Sequence, residues 1–204
     1  MAHTVYFGGE LFSAKHLLGN AALAEAVHAR SGRRYVPLLP QHLEQRDLSA
    51  HAIRDEDLRA LLSCDLGLFH YDGPELDSGT VVEFMTAKFA DIPAVLLRTD
   101  FRSGGDQIAS GEPWNLMTSF YPRTRSVVLD AMALYQAKFQ RPPAGPGDPL
   151  PDSLENRLGT SAARGMIEAA ADAVVAACDE VLALPPVLPT ALRAAVYEWL
   201  TIMP

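Results

Sequence analysis

Five carboxylates fall within the nineteen residues from Asp65 to Glu83: Asp65, Asp72, Glu75, Asp77 and Glu83. Paired carboxylates suit chemistry at a glycosidic carbon. One attacks the anomeric centre as it gains oxocarbenium character, and an acid helps the leaving group depart. Glu83 stands about one turn into an otherwise apolar stretch (Val81, Val82, Phe84, Met85, Ala87), and two readings fit it. In one it answers Thr80 in a capping box. In the other it is a partly buried nucleophile poised near a helix N-terminus. Asp77 lies six residues earlier, across the helix start, from where both carboxylates can face one pocket. Asp65, inside an apolar run, is open to a structural role as an acceptor of backbone N–H groups.

The elements that must position these groups follow from periodicity. Short apolar runs at Thr4–Gly8, Tyr35–Leu39, Cys64–Tyr71, Pro93–Leu97 and about Ser126–Val128 read as strands. Helical spacing separates them over Ser13–Arg30, Asp47–Ser63 and Thr80–Ala90, with a further helix to about Phe139. Such alternation implies an α/β fold with a doubly wound, parallel five-stranded sheet, flavodoxin-like or Rossmann-like. Ligands in such sheets bind beyond the carboxyl ends of the strands. There the first strand ends in Gly8-Gly9, which either lets backbone approach a flat ligand or simply makes a tight turn. The spacing is not that of a dinucleotide fingerprint, and no phosphate-cradling GxxxxGK[ST] occurs.

From Arg141 to Pro151 the composition shifts to five prolines and two glycines in eleven residues. The sequence thus divides into a catalytic domain over 1–140, a linker over 141–156 and a helical extension over 157–204, the last holding helices at Arg157–Leu184 and Thr190–Ile202. The formal net charge of −8 argues against a nucleic-acid partner, which requires Lys and Arg to neutralise phosphates, but not against an uncharged nucleoside. No apolar run is long enough for a membrane span, and Met1-Ala2-His3-Thr4 runs directly into a strand without a signal pattern, so the expectation is a cytoplasmic protein. Cys64 and Cys178 read as buried thiols, and the six histidines, all before Tyr71, form no metal-ligand spacing. Neither metal nor cofactor is expected.

Four segments carry a family resemblance: Val5-Tyr6-Phe7-Gly8 with Phe12 downstream, Cys64-Asp65-Leu66, Asp77-Ser78-Gly79-Thr80-Val81-Val82-Glu83-Phe84, and Trp114-Asn115-Leu116-Met117. In this order, over about residues 4–140, they resemble the nucleoside 2-deoxyribosyltransferases. The resemblance implies Glu83 as nucleophile, Tyr6 orienting it, and Asp65 contacting the base and assisting its protonation. It places Asp77 and Gly79 at the sugar, with Asp77 on the 5'-hydroxyl side, and Gly8, Gly9, Phe12 and Gln41 around the ligand. Asn115 and Met117 would reach a neighbouring subunit's site, implying a homo-oligomer acting on a 2'-deoxynucleoside and a free nucleobase. Met85-Thr86-Ala87 replaces the family's usual Gly-Tyr-Ala, and Glu10 adds a carboxylate near the mouth. Three functions stay open: deoxyribosyl transfer, hydrolysis of deoxynucleosides or nucleoside 5'-monophosphates, and a non-catalytic nucleoside sensor.

Overall fold

The computed structural model describes residues 2–43, 49–102, 112–139 and 159–202. Five strands, β1 (His3–Gly8), β2 (Tyr35–Leu38), β3 (Leu66–His70), β4 (Ala94–Arg98) and β5 (Thr124–Val128), form one sheet in the order β2-β1-β3-β4-β5. Every pairing is parallel. This is the flavodoxin-like order, with its topological switch point between β1 and β3.

Among the described residues six α-helices flank the sheet: α1 (Ala14–Arg30), α2 (Ala50–Leu62), α3 (Ser78–Phe89), α4 (Ala131–Lys138), α5 (Thr160–Ala183) and α6 (Thr190–Ile202). Successive strand residues face opposite sides, and both sides are buried, as a parallel sheet requires. Val5, Phe7, Leu66, Leu68, Val95 and Leu97 join α1 and α5 in one core. Tyr6, Phe69, Ala94 and Leu96 join α2, α3 and α6 in the other.

The helix starts are capped by side chains. Ser13, Ser49, Asp77 and Asp130 each accept a backbone N–H from the first turn of α1, α2, α3 and α4 respectively. Asp77 settles where α3 begins, two residues before the Thr80 start read from the sequence.

The helices beyond residue 140 pack against the sheet. Ala170, Ala171, Val174, Ala177, Cys178 and Val181 of α5 share the core of Val5 and Phe7. The helix read as an extension is the outer layer of the sheet itself. Its exposed flank adds Arg30–Asp172 and Arg34–Asp179 ion pairs, at 2.6 and 2.5 Å, to α1 and β2. The α6 helix docks Leu200 on the opposite face. Asp91 holds the turn before it, accepting the N–H groups of Val187 and Leu188 at 2.8 and 3.0 Å. The expected linker, 141–156, lies outside the described residues.

Candidate active site

Glu83 is brought to the carboxyl edge of the switch point by α3. Asp77 caps that helix, its Oδ2 accepting both the N–H and the hydroxyl of Thr80 at 2.8 Å. With Asp77 as the cap, Thr80 is not the head of a capping box, and Glu83 is free to face the sheet. Tyr6, at the middle of β1 and fully buried, donates its phenol to Glu83 Oε1 at 2.7 Å. Burial and the neighbouring Glu83 charge push the Tyr6 phenol far above its ordinary range, so it remains a donor at any working pH. Gly8, two residues on, supplies clearance: a Cβ there would stand 2.7 Å from Glu83 Oε2 and 2.7 Å from the Phe69 ring.

Tyr6, the ring that holds this carboxylate, belongs to an aromatic cluster. Phe69 lies 6.3 Å from Tyr6 and 5.6 Å from Phe84, centroid to centroid. The Glu83 carboxyl is pushed up to about 7: burial raises it most, the Tyr6 hydrogen bond opposes that, and the charges of Asp57 and Asp77 add to the rise. The result is a half-buried carboxylate with one oxygen held by a permanent donor. Its other oxygen lies against bare backbone. Such a group can attack an electrophilic carbon.

The remaining expected residues fall into two sets. Gly9 follows Gly8 at the same edge, where a Cβ would press to 3.1 Å on His70 Cβ. Phe12, in the β1–α1 loop, is 76% exposed and lies on the rim. Gln41 follows β2 in a short 3-10 turn, donating to Leu17 O and accepting from Asn20. Gly79 sits in the first turn of α3, where a Cβ would come within 3.1 Å of Asp77 Oδ2. These residues share the carboxyl edge with Glu83.

Asn115 and Met117 share a cavity of about 650 Å³ with Val81, Val82 and Trp114, and its lining residues do not include Glu83. Val81 and Val82 lie on other faces of α3 than Glu83. Asn115 caps its own 3-10 turn, accepting from Met117 N at 2.8 Å, and Met117 is 77% exposed. Trp114 instead packs inward, edge-on to Tyr71 at 5.3 Å.

Asp65 is elsewhere. It precedes β3 at the amino edge of the sheet, its Oδ2 accepting Thr4 N at 2.8 Å and Thr4 Oγ1 at 3.2 Å. The base-contacting role implied for it is therefore corrected to the structural one: Asp65 latches β1 to β3 on the side away from Glu83. The carboxylate at the carboxyl end of β3 is Asp72, which accepts from Thr99 N, Thr99 Oγ1 and Asp100 N at 2.5, 2.7 and 3.0 Å. Its place one residue beyond Tyr71, where the apolar run stops, was the available signal. Asp57 is the other omission. It acts on Glu83 through space from α2, and nothing in its local sequence marks it. His70, also at this strand end, is held neutral by burial.

With this geometry in place, the comparison with known families is decisive. The nucleoside 2-deoxyribosyltransferase family matches residues 5–117, more than half of the chain. The chain belongs to that family. Among solved structures, a conserved protein from Enterococcus faecalis is 27% identical, aligning over 63% of this chain and 92% of its own, with a TM-score of 0.52. A 2-desoxiribosyltransferase from Leishmania mexicana is 24% identical over 67% of this chain and 96% of its own, TM-score 0.48. A 2-deoxyribosyltransferase from the psychrotolerant Bacillus psychrosaccharolyticus is 18% identical over 48% and 74%, TM-score 0.41. No curated protein matches significantly. No described helix is long and apolar enough to cross a membrane. No three His, Cys, Asp or Glu among the described residues are grouped to hold a metal.

Proposed function

We propose that this member of the family cleaves the N-glycosidic bond of 2'-deoxynucleosides through a covalent deoxyribosyl–Glu83 intermediate and passes the sugar to a second nucleobase. The observation that carries the reading is the Glu83 carboxylate itself, oriented by Tyr6 at 2.7 Å and cleared for approach by Gly8. As the C1'–N bond breaks, its electron pair leaves with the base and a Glu83 oxygen closes on C1'. The base takes a proton on departure, and Asp72, in place of Asp65, is the carboxylate at that strand end. Return of the second base reverses these steps.

Asp77 Oδ1 makes no hydrogen bond among the described residues and is available to a sugar hydroxyl, since Oδ2 alone serves the helix cap. A carboxylate there disfavours a 5'-phosphate dianion: like charges near 4 Å repel by several kcal/mol at intermediate dielectric. This supports nucleosides over nucleoside 5'-monophosphates. Asn115 and Met117, exposed and lining a cavity that does not include Glu83, fit the expectation that a neighbouring subunit completes each site, in a cytoplasmic homo-oligomer without a metal or cofactor.

A panel of four 2'-deoxynucleosides, each incubated with and without the other free bases, tests the assignment. The expected result is base exchange that Glu83→Ala abolishes while the variant keeps its circular dichroism and melting cooperativity. Release of deoxyribose without exchange assigns a hydrolase, and binding without turnover a sensor. Glu83→Ala retaining more than about a tenth of the wild-type rate removes Glu83 from the nucleophile's role.

A further inference from the structure

The geometry points to Arg98 as a positioning residue that holds Asp72 by clamping the β3–α3 loop to the segment after β4. This rests on the deoxynucleoside-cleavage reading above. Arg98 ends β4 and is fully buried. Its guanidinium makes no ion pair within 4 Å among the described residues; it donates to main chain instead. One nitrogen, Nη1, serves Tyr71 O at 2.6 Å and Gly73 O at 3.0 Å, on either side of Asp72. Nη2 serves Arg102 O at 2.5 Å. Only a planar fork with several donors reaches acceptors on two segments at once.

The two segments return the contact. Asp72 Oδ1 takes the N–H groups of Thr99 and Asp100, and Oδ2 takes the Thr99 hydroxyl. Gly73 N donates to Asp100 Oδ2 at 3.2 Å, and Asp100 is in turn gripped by Arg102 at 2.6 Å. Gly73 adopts φ +95°, a left-handed turn that brings its carbonyl back to Arg98. A carboxylate offers about four lone-pair sites, so three bonds to Asp72 leave roughly one for a ligand, with its direction fixed. That direction is set by residues 98–100, not by β3. Loosening the clamp should displace Asp72 while leaving Glu83, held by β1 and α3, where it is.

The test compares two leaving groups. A nucleobase needs protonation as it departs, whereas a para-nitrophenyl 2-deoxyriboside does not. Thr99→Val deletes one donor to Asp72 and nothing from the core; Arg98→Lys keeps the charge but loses the fork. On deoxynucleosides kcat should fall about 10-fold in Thr99→Val and about 100-fold in Arg98→Lys, with KM within about threefold, as expected for misplacement by an ångström or so. Turnover of the nitrophenyl glycoside should stay within about threefold of wild type in both. Parallel losses on the two substrates, or none on either, in variants with wild-type-like melting curves would overturn the clamp. If Arg98→Lys does not fold, Thr99→Val decides alone. A wild-type protein that cleaves neither substrate would sink the deoxynucleoside reading itself, and the inference with it. The two failures are thus distinct.

Discussion

At the scale of single residues, the chemistry depends on how much it costs to ionise Glu83. Its carboxyl is raised to about 7 by burial and by the charges of Asp57 and Asp77. Attack requires the carboxylate, so single-turnover cleavage should rise with pH and level off above about 7. The Tyr6 hydrogen bond lowers this value. Tyr6→Phe should therefore move the rising limb to higher pH, and a pH–rate profile of both proteins checks the sign. The same shift links to stability. A carboxyl whose folded value lies above its ordinary 4.5 binds protons more tightly in the folded state, so its cost is absent below about 4.5 and complete above about 7. Glu83→Gln, neutral and nearly isosteric, should thus stabilise the protein by about 2 kcal/mol at pH 8, a value discounted for partial exposure, and by almost nothing at pH 4.5. Urea melts at the two pH values measure the difference.

At the scale of elements, α5 is the clearest dependence of the site on distant sequence. It covers the same core as β1, the strand that carries Tyr6 and Gly8. Val174 is fully buried there, and Val174→Ala should cost about 2 kcal/mol from lost transfer energy and the cavity left behind, read from the shift in urea midpoint. The sequence reads β1, β3 and β4 well because each is an uninterrupted apolar run, the signature of a strand buried on both faces. It reads β5 poorly: Thr124 and Arg125 belong to the strand, but as an edge strand it carries exposed residues that break the pattern. Periodicity finds α5 but not its membership in the core, because Val174 and Val5, members of one core, lie most of the chain apart. At the site, the Asp77–Glu83 segment is legible since cap, glycine and buried carboxylate are local to one helix start. For Asp65 the residues themselves leave a structural acceptor open and only the family resemblance implies a base contact; the strand read as Cys64–Tyr71 begins at Leu66, so Asp65 precedes it. That single boundary decides which carboxylate stands at the amino edge and which at the carboxyl edge. The influence of Asp57 and the grip of Arg98 are long-range, so spacing carries no trace of them.

At the scale of the whole molecule, the exposed side chains say what one chain leaves unfinished. Met117, Phe120, Val82 and Phe89 are all more than half exposed, on α3 and the segment after Trp114, where an apolar surface is a liability unless covered. An isologous contact through this surface would let each subunit offer Asn115 and Met117 to the other. Mixing inactive Glu83→Ala with inactive Asn115→Ala subunits should then restore activity, because mixed dimers contain one intact composite site. Failure to complement despite proven subunit exchange would count against Asn115 acting across the interface. The central claim, however, is the bond between sugar and Glu83. Intact-mass spectrometry of the protein, acid-quenched during turnover of a 2'-deoxynucleoside and followed by peptide mapping, tests it directly. The account predicts a population heavier by one deoxyribosyl group, the modification mapping to Glu83 and absent from Glu83→Gln. An actively turning-over enzyme with no such adduct, or with the sugar on another residue, would contradict it.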